Sequence, residues 1–144
     1  MAMSKAVREL KMIDIEITPL YVAVTALLMF VLAQLIGARR WTLRAGIGDA
    51  GDLKLALAIR RFGNLIEHAP ILLVILFFLE VKGSSDVFLH SFGIAFVLFR
   101  IMHPIGLFKD ITVPTSQKVV RLIAVMGTYA LYLVGAIKLL SYYI

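Results

Sequence analysis

No cysteine occurs in the 144-residue chain, which excludes a disulfide framework, a thiolate metal site and a nucleophilic cysteine of its own. Any sulfur chemistry must be carried in by a ligand. Histidine is scarce, with three in all, and His68, His90 and His103 show neither Glu-x-x-His nor His-x-x-x-His spacing, so no metal site is expected. Acidic residues are also few: nine Asp and Glu face fifteen Lys and Arg, for a net charge of +6. The basic residues cluster at the ends and turns of apolar segments and form no solvated face interleaved with aromatics. Lipid headgroups and membrane topology therefore account for them better than nucleic acid does. A signal peptide is not expected either, because residues 1–17 mix Lys5, Arg8 and Lys11 with Glu9, Asp14 and Glu16 and lack an apolar core.

What the chain does have is apolar sequence. A hydrophobic content of 61% and a mean hydropathy of +0.94 identify an integral membrane protein, long enough for only a few spans. Four are expected, at about 19–37, 53–81, 86–108 and 118–143, forming one all-α transmembrane domain over 18–144 behind a polar extension, 1–17. Thr18 and Pro19 read as the cap and first-turn proline of the first span, and Thr115 or Ser116 as the cap of the fourth. The second span reaches about 43 Å, so its first turns should project beyond a hydrocarbon core of about 30 Å. The turn Lys82–Ser85 makes the second and third spans antiparallel neighbours. Lys and Arg near the first and third connectors (Arg39, Arg40, Arg44, Lys54, Lys109, Lys118, Arg121) outnumber those opposite (Lys5, Arg8, Lys11, Lys82). By the positive-inside rule those connectors are expected in the cytoplasm.

The second span carries more charge than a lipid-facing helix tolerates, and ionisable groups at bilayer depth are functional candidates. Arg60, Asn64 and Glu67 lie at i, i+4 and i+7, within about 60° of one another around the helix. Counted at 1.5 Å per residue from the non-cytoplasmic end, Glu67 and Arg100 fall at about 21 Å, Asn64 and His103 at about 25 Å, Arg60 at about 32 Å and Arg121 at about 35 Å. Three helices thus bring polar groups into one slab. Pro104, which lacks an N–H for the carbonyl of Arg100, should kink the third helix beside it. Two readings compete: a clamp that pairs buried charges to lock helices together, and a site for an anion, since Arg60, Arg61, Arg100 and Arg121 face only Glu67. Gly46, Gly48 and Gly51 spell Gly-x-Gly-x-x-Gly, but no strand precedes them and they suit turns. Tyr21, Tyr129, Tyr132, Tyr142 and Tyr143 read as packing or interfacial aromatics.

Gly-Asp-Ala-Gly-Asp-Leu at 48–53, running into Ala58, Arg60, Gly63, Asn64, Glu67 and Pro70, and then Arg-x-x-His-x-x-Gly at Arg100, His103 and Gly106, resembles the bacterial branch of the MAPEG family. These are membrane-associated proteins in eicosanoid and glutathione metabolism. The resemblance implies a left-handed four-helix bundle assembled as a homotrimer, with glutathione as co-substrate between subunits near the cytoplasmic leaflet and a hydrophobic small molecule arriving from membrane lipid. By the same resemblance Arg60, Asn64 and Glu67 would hold glutathione, Arg100 and His103 would line its cavity, Arg39 or Arg40 of a neighbouring subunit would close it, and Arg121 would be the catalytic arginine facing the sulfur. Several eicosanoid-pathway members have a tyrosine where this chain has Leu107, so prostaglandin or leukotriene synthesis is not expected. The expected function is that of a glutathione transferase or peroxidase of the bacterial inner membrane acting on hydrophobic electrophiles. The alternative is a non-catalytic module that binds lipid or a partner protein. Proton-coupled efflux through Glu67 ranks below both, because the surrounding arginines favour a fixed ion pair.

Overall fold

The computed structural model describes residues 15–108 and 113–144. The expectations placed on most of the polar extension 1–17, and on Lys5, Arg8, Lys11 and Lys109, fall outside them. Among the described residues, four helices make up the fold: α1 (Ile17–Leu43), α2 (Leu53–Val81), α3 (Asp86–Gly106) and α4 (Thr115–Leu140). All are long and apolar enough to cross a membrane, and they form an all-α, four-helix membrane bundle.

One helix boundary lies more than a turn from the expected span, and the ends of α3 and α4 shift by two or three residues. Helix α1 continues six residues past Gly37 to Leu43, because arginine is a good helix former and is favourable near a helix C-terminus. Hydropathy marks where the lipid ends, and the helix simply runs on. Helix α4 starts at Thr115, with Pro114 as its N-cap and no side-chain cap, and ends at Leu140; α3 stops at Gly106, two residues after Pro104. Thr18 is likewise no cap. Residue 16 holds that position, and the first amide groups of α1, at Glu16, Ile17 and Thr18, donate to the Glu80 carboxylate of α2 at 2.8, 2.7 and 2.7 Å. A carboxylate at the positive end of a helix satisfies donors that otherwise have no partner. Asp52 caps α2 by accepting from the Leu55 amide at 2.8 Å, and Ser85 caps α3.

Helices α2 and α3 touch each other and both outer helices, whereas α1 and α4 do not meet. The core therefore lies along α2 and α3, where Leu65, Leu72, Leu76, Leu79, Leu89 and Phe96 are buried. The outer faces of α1 and α4 expose Leu27, Phe30, Leu133 and Ile137, as a lipid-facing surface requires. Small residues set the close approaches. Gly93 of α3 receives the Tyr21 ring, Gly127 of α4 receives Phe99, and the α-carbon of Gly106 lies against the backbone of Arg121. The last of these holds the start of α4 against the end of α3, where the polar slab lies.

Candidate functional site

The polar residues of the slab separate into a buried group and an exposed one. Arg100 of α3 is only 3% exposed, and its guanidinium donates to Asn64 Oδ1 of α2 at 2.8 Å and to the Thr128 hydroxyl of α4. Thr128 in turn donates to the carbonyl of Ala124, one turn back, at 2.6 Å. One arginine thereby ties three helices together using neutral acceptors. The clamp is incomplete: Arg100 Nε and Nδ1 of His103, itself 4% exposed, have no hydrogen-bond partner among the described residues. A buried cation held only by neutral groups, with donor or acceptor atoms left over, retains affinity for a further polar or anionic group.

Arg60 and Glu67 do not join this group. They pair with each other at 2.8 Å on the open side of α2, with side chains 59% and 48% exposed. The angular spread of about 60° around the helix explains the split: Asn64 falls on the packed side of the boundary, and Arg60 and Glu67 fall on the open side. Between them Gly63 leaves room, since a β-carbon there would meet only Glu67 Oε1, at 3.9 Å. A hollow of about 500 Å³ opens here, lined by Gly48, Asp49, Ile59 and Gly63 beside Arg60 and Glu67. It presents one cation and two carboxylates. Its far wall is the first connector, where Gly48 (φ +66°) and Gly51 (φ +70°) adopt the left-handed backbone and the Asp49 side chain accepts from the Gly51 amide at 3.0 Å. The glycine pattern thus serves a turn.

The remaining candidates lie at the edges. Arg39, at the end of α1, makes a two-pronged pair with Asp52, at 3.0 and 2.6 Å. The Arg39 guanidinium and then the Leu55 amide hold the Asp52 carboxyl down to about 2. Arg39 is thus engaged within its own chain. Arg40 lines a different hollow, with Trp41 and Arg44. Arg121, in the second turn of α4, has its guanidinium 5.1 Å from the centre of the Phe108 ring, a cation–π contact that keeps it at the α3–α4 junction. Leu107, at the position noted for its missing phenol, is buried.

Sequence reasoning missed several partners. Thr128 carries half of the Arg100 clamp, and a hydroxyl on an apolar helix gave no signal beyond being polar. Two tyrosine–histidine pairs also join helices: Tyr132 with His68 Nδ1 at 3.0 Å, and Tyr21 with His90 Nδ1 at 2.9 Å. Tyr142 bonds Ser84 at 2.8 Å. The Tyr132 and Tyr21 phenols are helix-to-helix connectors and not only packing aromatics, and that of Tyr142 ties the turn after α4 to the turn between α2 and α3. Among the described residues, no group of three or more His, Asp or Glu is arranged to hold a metal ion.

Comparison with known proteins matches the chain over residues 18–141 to the model described as MAPEG family. The inner membrane protein YecN of Escherichia coli (strain K12) is 33% identical over 90 residues, 62% of this chain and 69% of that protein. YecN of Escherichia coli O6:H1 matches with the same identity and coverage. No solved structure matches the chain.

Proposed function

This chain belongs to the MAPEG family, and from that premise we propose that it is a glutathione-dependent transferase or peroxidase acting on hydrophobic electrophiles in a bacterial inner membrane. The observation that carries the reading is the Arg60–Glu67 pair, left half-exposed at an estimated depth of about 21 to 32 Å along α2. Glu67 falls within a hydrocarbon core of about 30 Å and Arg60 at its cytoplasmic edge, where a half-exposed ion pair is costly to leave open to lipid. It is relieved when a second copy of the chain covers the hollow and a zwitterionic ligand fills it, so the active form in this reading is the homotrimer, with the hollow closed between neighbours. The name of the YecN relative supports the inner membrane, and the excess of Lys and Arg supports cytoplasmic first and third connectors.

The residues fit glutathione. Its two carboxylates suit Arg60 and the cationic side of the slab, where Arg100 Nε is a buried donor without a partner among the described residues. Its ammonium suits Glu67 and Asp49. Bound glutathione supplies the thiol that a cysteine-free chain lacks, with a pKa of about 8.5 when unperturbed. Arg121 holds negative charge on the sulfur, and an arginine that lowers the thiol by about two units makes most of it thiolate near neutral pH. On the packed side of α2, Asn64 and Thr128 hold the Arg100 guanidinium in place beside His103, and the apolar faces of the bundle admit an electrophile dissolved in the bilayer.

The Asn64–Arg100–Thr128 bonds favour a second reading, a non-catalytic module in which the polar slab is a structural clamp. Conjugation of glutathione to a generic aryl halide separates the two. Turnover that falls at least tenfold in Arg60→Leu and in Arg121→Leu is the expected result. Full activity in both variants would reject the residue assignment, and no turnover together with tightly co-purified lipid would favour the module.

A further inference from the structure

A hollow of about 550 Å³ sits at the end of α1, lined by Gly37, Arg40, Trp41, Arg44, Ala45 and Gly46. Three arginines occupy this end of the helix, and the structure treats them differently. Arg39 is neutralised by Asp52 at 2.6 Å. Neither Arg40 nor Arg44 has a carboxylate partner among the described residues, and the one side-chain bond of Arg40 is a 3.5 Å contact with the Ala45 carbonyl. Arg44 terminates the helix in the left-handed conformation, its amide turned back to the carbonyls of Arg40 and Trp41. That turn sets its side chain beside Arg40 on the rim of the hollow. Gly37 leaves the floor bare, with nothing within 4 Å of where its β-carbon would stand.

The surface at and beside the rim is also unusually apolar for one facing water. Trp41 is 87% exposed and Ile47 is 90% exposed. An indole and an aliphatic side chain at that exposure are unfavourable in water and favourable at the headgroup boundary of a bilayer, where tryptophan concentrates. The last apolar residues of the first span end at Gly37, so Arg40, Trp41 and Arg44 stand about 5 to 10 Å beyond it, at headgroup level. Two guanidiniums lacking an anion, flanked by an interfacial indole, complement a phosphate diester attached to acyl chains.

We infer that Arg40 and Arg44 bind the headgroup phosphate of an anionic phospholipid, with Trp41 and Ile47 lying against its glycerol and upper acyl chain. This assignment uses none of the residues that line the Arg60–Glu67 hollow. Arg40, one of two arginines considered for closing over glutathione, thereby acquires a lipid ligand in its own subunit.

Trp41 is the single tryptophan of the chain, so its fluorescence reports this site alone. The experiment titrates the detergent-purified protein with phosphatidylglycerol brominated on its acyl chains, whose bromines quench an indole they touch, and separately with brominated phosphatidylcholine. Each arginine should contribute about fivefold to the preference and the two together about thirtyfold. Arg40→Gln/Arg44→Gln should quench equally with both lipids. Lys54→Gln/Lys118→Gln, which removes the same charge elsewhere, should keep the preference, and so in large part should Arg40→Lys/Arg44→Lys. Equal quenching of the wild type by both lipids would overturn the inference. So would a preference that survives in the glutamine pair, or one lost equally in the Lys54/Lys118 control, which would reduce the effect to overall charge.

Discussion

Replacing Gly106 by alanine would drive a methyl group into the first turns of α4. The added β-carbon would stand 2.7 Å from the Arg121 amide nitrogen, 2.9 Å from its α-carbon and 3.0 Å from its β-carbon. Carbon atoms in good contact are about 3.5 to 4.0 Å apart, so α4 must move away by roughly 0.6 to 1.1 Å. The obstacle is backbone, which cannot rotate aside as a side chain can. Overpacking of this kind costs about 1 to 3 kcal/mol, and it acts on the residue proposed to face the sulfur. A displacement of about 1 Å in a catalytic group can cost about a hundredfold in rate. Thermal unfolding in detergent, followed by circular dichroism, should show Gly106→Ala melting below the wild type. The aryl halide assay should show it losing far more activity than stability. As a control, Gly37→Ala, where nothing lies within 4 Å, should leave the melting temperature unchanged or slightly raised, since alanine favours a helix interior over glycine. A Gly106→Ala protein as stable as the wild type would refute the close α3–α4 approach, and one destabilised but fully active would refute the role given to Arg121.

Three further outcomes are expected. Asn64→Leu leaves the buried Arg100 guanidinium with Thr128 as its one described side-chain partner and should cost about 3 kcal/mol or more by analogy with broken buried pairs, read as a fall in the unfolding midpoint; an unchanged midpoint would mean the arginine finds water or lipid instead. Glu80→Gln keeps the shape but removes the charge that receives three α1 amides, and should cost about 1 to 2 kcal/mol, with faster hydrogen exchange confined to the first turn of α1. Asp52, held down to about 2 by Arg39 and the Leu55 amide, is expected at about 3.9 when unfolded. Its contribution is therefore complete above about pH 4 and lost as pH falls towards 2. The stability difference between wild type and Asp52→Asn should shrink over that window, and a constant difference would refute the Arg39–Asp52 pairing.

Apolar runs of the right length announced the four helices, and counting depth along them places Asn64, Arg100 and the start of α4 in one slab. What the sequence could not convey is how each helix turns about its own axis. Arg60, Asn64 and Glu67 share a helical stripe, yet rotation of α2 buries Asn64 against Arg100 and leaves the other two outside. The same limit hid Thr128, 28 residues from Arg100, and Glu80, which serves amides 62 to 64 residues earlier. Such pairings are fixed by helix packing over long separations, where local periodicity carries no information. Helix α1 outruns its apolar run for a different reason: Arg39 and Arg40 mark the edge of the apolar sequence, but a backbone that reaches water has no need to stop being helical.

The most direct test of the central claim is a calorimetric titration of the detergent-purified protein with glutathione, run beside Arg60→Leu and accompanied by an ultraviolet difference spectrum for thiolate. Saturable binding that is lost in the variant, with thiolate absorbance at neutral pH in the wild type, is the predicted result. Absence of binding in the wild type would contradict the proposed activity, leaving the polar slab as a clamp between helices.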